Sequence, residues 1–230
     1  MEGVITMLNI SREEFLMRSN KTLGDIYDLL SNVPSINLKD LPSEKTAFVI
    51  VDMINGFARE GALKSPRVEA IIDVIANVSK ACDKLGIKKI AFADTHTDKS
   101  PEFGSYPVHC IEGSSEAEVV DEIKSVGGYL LIAKNSTNGF LEDEFQNWLK
   151  NNPEIDNFVV VGDCTDICVN QFAVTLKTWF NKQNKSSRII VPSNAVDTYD
   201  LGAHNGDLMQ VMALFSMMGN GIEIVNKVEL

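Results

Sequence analysis

From residue 46 onward, short and nearly unbroken apolar runs alternate with longer stretches whose apolar residues return at the helical period. The runs at 47–51, 89–93, 130–133, 158–161, 189–191 and 222–225 predict strands buried on both faces. The intervening stretches at 67–85, 115–125, 142–151, 166–181 and 206–218 predict helices; in the first, Val68, Ile71, Ile72, Ile75 and Val78 fall on one face. Such alternation predicts an α/β fold, a doubly wound, mainly parallel six-stranded sheet with helices on both faces. With the common strand order 3-2-1-4-5-6, the first and fourth strands flank the crevice where such sheets bind ligands.

The chain before residue 46 has a different character. Ser11-Arg-Glu-Glu14 has the form of a capping box and predicts a helix start. A second helical stretch is expected over 23–30, after which Asn32, Pro34, Ser35 and Asn37 break the pattern. The expected division is therefore a helical arm over residues 1–45 and one domain over residues 46–230. The formal net charge of −11, with no basic cluster, argues against nucleic acid and anionic membranes as partners. A small-molecule substrate is expected instead, on a chain that can also form a homo-oligomer. No basic-then-apolar leader opens the chain, and four cysteines are too few for a disulfide framework; both point to a reducing, cytoplasmic setting.

The polar residues share an address. Asp52 follows the first strand, Asp94 and His96 the second, Lys134 the third, and Asp163 to Cys168 the fourth. All are carboxyl ends of predicted strands. Cys168 is expected at or near the first turn of a helix, where free N–H groups and the dipole favour a thiolate and can lower its pKa. Asp52, among apolar neighbours, is a candidate base with a raised pKa, and Lys134 a candidate charge partner for both. Asp94-Thr-His96, with Glu102 and His109 in the following loop, has the donor types of a zinc, iron or manganese site; spacing alone leaves metal and solvated histidines equally open. Phe57 and Tyr106 are candidate walls for a flat ring, although core packing explains either alone. Cys82 reads as core, Cys110 as buried beneath the loop, Cys164 as a small turn residue and His204 as structural or solvated.

Together, Phe48-Val-Ile-Val-Asp52-Met-Ile-Asn-Gly-Phe57, Asp94-Thr-His96 through Glu102-Phe103 to Pro107-Val-His109-Cys110, Lys134, and Gly162-Asp-Cys-Thr165-Asp-Ile-Cys168-Val resemble the isochorismatase-like cysteine hydrolases, within them the nicotinamidase/pyrazinamidase branch. The resemblance spans residues 46 to about 175. It implies a catalytic set of Asp52, Lys134 and Cys168, and an oxyanion hole from the backbone N–H groups of Cys164 and Cys168. It further implies a divalent ion, zinc first, held by Asp94, His96 and His109, with Glu102 where relatives carry glutamate or histidine. A cis peptide is implied at Asp163–Cys164, where a small apolar pair is common in the family, and Tyr106 stands where tryptophan is frequent. The implied reaction is hydrolysis of nicotinamide to nicotinate and ammonia through a thioester, a step of NAD salvage, with the ring between Phe57 and Tyr106. The alternatives are another cysteine amidase of this fold acting on a carbamoyl or ureido group, a ligand-binding protein without catalysis, and a thiol redox protein using Cys164 and Cys168.

Overall fold

A computed structural model describes residues 10–230; residues 1–9 of the expected arm lie outside the described residues. The six expected strands form one parallel sheet: β2 (Thr46–Val51), β3 (Lys88–Asp94), β4 (Tyr129–Lys134), β5 (Asn157–Gly162), β6 (Arg188–Pro192) and β7 (Glu223–Val225). Their order is β4-β3-β2-β5-β6-β7, so β2 and β5 flank the point where the winding reverses. Strand residues alternate between two cores. Phe48, Ile50, Val159 and Val161 pack with α3 (Pro66–Ala70), α4 (Ile72–Leu85) and α5 (Asp121–Val126). Ala47, Val49, Val51, Phe158 and Val160 pack with α6 (Asp143–Asn151), α7 (Asn170–Lys182) and α8 (Gly206–Gly219). The unbroken apolar runs follow from this, because each strand has to satisfy a core on both sides.

Several boundaries differ from the sequence reading, each for a local reason. Among its described residues the arm holds one α-helix, α1 (Arg12–Ser31), where two were expected; Ser11 caps it by accepting from the Glu14 N–H, and a Lys21–Asp25 pair bridges the expected gap. The helix expected over 67–85 is broken at Ile71 into α3 and α4. Only Asp121–Val126 of the stretch 115–125 is α-helical. Upstream, the Glu118 carbonyl accepts from Asn55 N–H and the Val120 N–H donates to Met53, so the loop after β2, including α2 (Asn55–Ala58), takes bonds a helix would need. A two-stranded pairing of β1 (Ile36–Asn37) with β8 (Val228–Glu229), too short for a sequence pattern, ties the end of the arm to the C-terminus. No helix among the described residues is long and apolar enough to cross a membrane.

Gly162, at the end of β5, is the tightest point. Its φ is +114°, and a Cβ built there would sit 1.9 Å from the Val51 carbonyl oxygen. Gly162→Ala is expected to lower the urea unfolding free energy by roughly 3 kcal/mol or more, because neither the backbone conformation nor the β2 backbone leaves room for a methyl group. An unfolding midpoint equal to wild type would contradict this packing.

Candidate active site

Sheet register brings the polar residues together. Asp94 and Lys134 end adjacent strands and are paired in register. Val51 lies opposite both Phe92 and Gly162, so Asp52 emerges between β3 and β5. Asp52 turns the chain with φ 52°, a left-handed conformation that Asp tolerates better than most residues. Its N–H donates to the Phe92 carbonyl at 3.1 Å and its own carbonyl accepts from Ile54 at 2.8 Å, which fixes that turn.

Lys134 is the hub. Its side chain has no solvent exposure, and its Nζ lies 2.9 Å from Asp52 Oδ2, 2.6 Å from Asp94 Oδ1 and 3.7 Å from Cys168 Sγ. It also donates to the Ser136 carbonyl at 3.1 Å. Burial alone would push Lys134 down, but Asp52, Cys168 and Asp94 outweigh it and hold the ammonium well above its ordinary range. Burial pushes Asp52 up from 3.8 to about 6 against the opposing charge of Lys134. Lys134 and Cys168 both act on the Asp52 carboxyl, although neither meets its oxygens with the direction of a full hydrogen bond. For Asp94 burial again pushes upward, but Lys134 and bonds from both histidines win and hold it below the usual carboxylate range.

Cys168 sits in a single π-helical turn, Thr165–Val169, that leads directly into α7, near the helix start where the sequence places it. Burial pushes its thiol well above the ordinary range despite Lys134, so the expected lowering does not occur. The turn wraps Cys164, whose carbonyl accepts from both Ile167 and Val169, and the Asp163–Cys164 peptide is cis. The backbone N–H of Cys164 takes no backbone partner among the described residues.

Asp94 Oδ2 faces two imidazoles, His96 Nε2 at 2.8 Å and His109 Nε2 at 3.1 Å. One ligand atom from each of the three lies within 4.8 Å of the others, and all three residues are buried. The far nitrogens are already engaged, His96 Nδ1 with Asn135 Oδ1 at 3.0 Å and His109 Nδ1 with the Pro107 carbonyl at 2.7 Å. Backing of this kind orients Nε2 toward a cation, so the donor set fits a divalent ion. Glu102 stands further out, with Oε2 3.8 Å from His96 Nε2 and Oε1 accepting from the Thr137 N–H at 3.0 Å.

Phe57 and Tyr106 line a cleft of about 470 Å³, counted to its open mouth, that also contains Asp94, His109, Cys164 and Cys168. The Phe57 and Tyr106 rings approach the His109 ring to 5.7 and 6.2 Å. Leu63, Thr137, Ile167 and Tyr199 also line it and were not singled out from the sequence, and Val68, read there only as part of a helix's apolar face, joins them; spacing carries no signal of the wall a residue will join. Asp163 also lines the cleft. It is fully buried, Oδ1 lacks a hydrogen bond, and burial pushes its carboxyl well above the ordinary range. Cys82 and Cys110 are buried, and all four cysteines are free.

Removing the hub leaves two carboxylates buried without their cation. Lys134→Met is expected to cost roughly 3–5 kcal/mol at about pH 8. The folded pKa of Asp52 exceeds its unfolded value, so the cost of ionising it is absent below 3.8 and complete once pH has risen through about 6. Lys134 lowers that pKa, so in the variant Asp52 stays neutral to higher pH still, and the loss measured by urea titration is expected to be smaller at about pH 5 than at about pH 8.

Comparison with known proteins bears on family and fold. Residues 46–221 match the Isochorismatase domain family. Nicotinamidase 1 of Arabidopsis thaliana is 32% identical over 209 residues, covering 78% of this chain and 85% of that protein. Among solved structures, the nicotinamidase of Bacillus subtilis is 25% identical with a TM-score of 0.65, covering 79% of this chain and 99% of that one. The N-carbamoylsarcosine amidase of Thermoplasma acidophilum is 26% identical with a TM-score of 0.67, covering 81% and 98% respectively. On the match of its family over most of its length and the likeness to these relatives, the chain belongs to the isochorismatase family as an isochorismatase-like amidohydrolase.

Proposed function

We propose that the chain hydrolyses nicotinamide to nicotinate and ammonia through a thioester on Cys168. The observation that carries this reading is the convergence of Asp52, Asp94 and Cys168 on one buried ammonium, beside a ring-sized cleft and an Asp–His–His donor set. The resting sulfur is a thiol, so a base has to remove its proton. Asp52, at about 6, is mostly ionised near neutral pH and still basic enough to accept that proton. Cys168 Sγ then bonds to the carboxamide carbon while Lys134 offsets the shifting charge between sulfur and carboxylate. The N–H groups of Cys164 and Cys168 receive the oxyanion, a role in which one lost donor costs roughly 3–4 kcal/mol. The C–N bond breaks as protonated Asp52 returns its proton to the leaving ammonia. Water, deprotonated by Asp52, then opens the thioester and frees nicotinate and the Cys168 thiol.

Asp94, His96 and His109 would hold one divalent ion, zinc first by donor type, with Glu102 reaching it through water. When bound, that ion supplies a Lewis-acid anchor for the pyridine nitrogen. Phe57 and Tyr106 orient the ring so that the carboxamide meets Cys168. The reading places the protein in NAD salvage in the cytoplasm, with residues 46–230 as the hydrolase domain and residues 1–45 as an appended arm.

Cys168→Ala is expected to reduce ammonia release from nicotinamide by roughly 10³-fold or more while leaving about one bound metal per chain. His96→Ala is expected to lose the metal and, with it, turnover. Equal turnover by Cys168→Ala would reject the nucleophile, and an active metal-free sample would remove the ion from the reaction. N-carbamoyl amino acids belong in the same assay, because the Thermoplasma acidophilum relative is an N-carbamoylsarcosine amidase; their preference over nicotinamide would replace the ring amide with a carbamoyl substrate. With wild type, kcat/KM is expected to rise on its acid limb through an apparent pKa of about 6, as Asp52 ionises.

A further inference from the structure

The loop from β6 to α8 has no part in the reaction derived above, yet it is fastened to the nucleophile turn. Thr165 N–H donates to the Asp197 carbonyl at 3.0 Å, and Asp197 N–H donates to Gly162 at 3.3 Å. Asp166, two residues before Cys168, accepts from the Thr198 hydroxyl at 2.6 Å through Oδ1 and meets His204 Nε2 at 2.8 Å through Oδ2. The other imidazole nitrogen, Nδ1, lies 3.0 Å from the Tyr199 carbonyl. Leu201 and His204 exchange backbone bonds of 3.0 Å each, closing the loop into a tight turn. Held in this way, the imidazole lies flat on the Tyr199 ring, with centroids 3.9 Å apart and planes 12° apart.

Tyr199 faces the cleft above Cys168 and also a second cavity, lined by Pro66 and Arg67 among others; Leu63 is the other side chain common to both. Tyr199 is thus shared between the two cavities, and its ring is backed by the His204 imidazole. We propose that Tyr199 is the wall that limits the size of ring admitted to Cys168, and that His204 and Asp166 are the positioning residues that hold it against the nucleophile turn. A flat wall against a planar ligand contributes contact area at little entropic cost, and its removal joins two spaces that a larger bicyclic amide can occupy together. The inference rests on the amidase reading for its substrates, but not for its geometry.

The test compares wild type, Tyr199→Phe, Tyr199→Leu, Tyr199→Ala and His204→Ala. Nicotinamide and quinoline-3-carboxamide are the substrates, and the native fold is checked by urea midpoint. Tyr199→Phe is expected to stay within about twofold of wild type. Tyr199→Ala and, less strongly, Tyr199→Leu are expected to raise KM for nicotinamide about tenfold with little change in kcat, and to shift kcat/KM toward the bicyclic amide. His204→Ala is expected to move the same way and to add nothing on the Tyr199→Ala background, since it acts through that ring. A second arm needs no hydrolysis. The rate at which N-phenylmaleimide labels Cys168, relative to iodoacetamide and read by peptide mass spectrometry, is expected to rise in both Tyr199→Ala and Tyr199→Leu. Unchanged labelling ratios in both variants would overturn the wall. Absence of nicotinamide turnover by wild type with a raised labelling ratio would reject the amidase reading and leave the wall standing. Full additivity of His204→Ala with Tyr199→Ala would remove His204 and Asp166 from it.

Discussion

The ammonium of Lys134, cut off from water and ringed by Asp52, Asp94 and Cys168, constrains everything at the carboxyl end of the sheet. Taking an ammonium and two carboxylates out of water costs several kcal/mol per ion, and only close contact returns it. The contacts of 2.6 and 2.9 Å are close enough to do so, but one cation faces two anions. The excess negative charge beside His96 and His109 makes that corner a place for a further cation. The same imbalance, with burial, keeps Asp52 from acidifying and keeps the thiol protonated. In the proposed reaction, proton acceptor and proton donor are thus matched to each other by one charge that belongs to neither.

Such a cluster needs a scaffold that does not yield. Parallel register sets Asp94 beside Lys134, and the reversal of winding between β2 and β5 sets Asp52 opposite the turn that bears Cys168. Local backbone then does the fine placement. Asp52 leaves its strand in a left-handed conformation, Gly162 passes against Val51 where no side chain fits, and a π-helical turn holds Cys168 under the cleft. These departures from regular structure lie at strand ends, where ladder hydrogen bonds are no longer at stake and the backbone can be spent on aiming side chains.

The remainder of the chain holds that end of the sheet in place. Two apolar cores, one on each face, clamp the strands. The pairing of β1 with β8 closes the arm onto the C-terminal segment, on a surface separate from the cleft. Loops from both halves of the sheet meet above Cys168, with Phe57 and Tyr106 from one side and Tyr199 from the other. A cleft whose walls come from several crossovers can vary them without disturbing the buried charges beneath.

By itself the sequence determined the strands, the class of fold and the strand ends at which the polar residues gather. A strand buried on both faces has to be apolar throughout, and a polar residue just past its end has only the crevice to enter; Asp52, Asp94 and Lys134 were legible for that reason. The unity of α1, the break at Ile71 and the loss of helix over 115–120 were not, because each depends on which partner claims a backbone group. The tertiary structure alone decided the protonation of Cys168, since helix-start logic favours a thiolate and burial overrules it. It alone brought Tyr199 to the cleft and joined His204 to Asp166. Those pairings span residues far apart in the chain or loops without periodicity, and neither spacing nor composition records a contact that only folding creates.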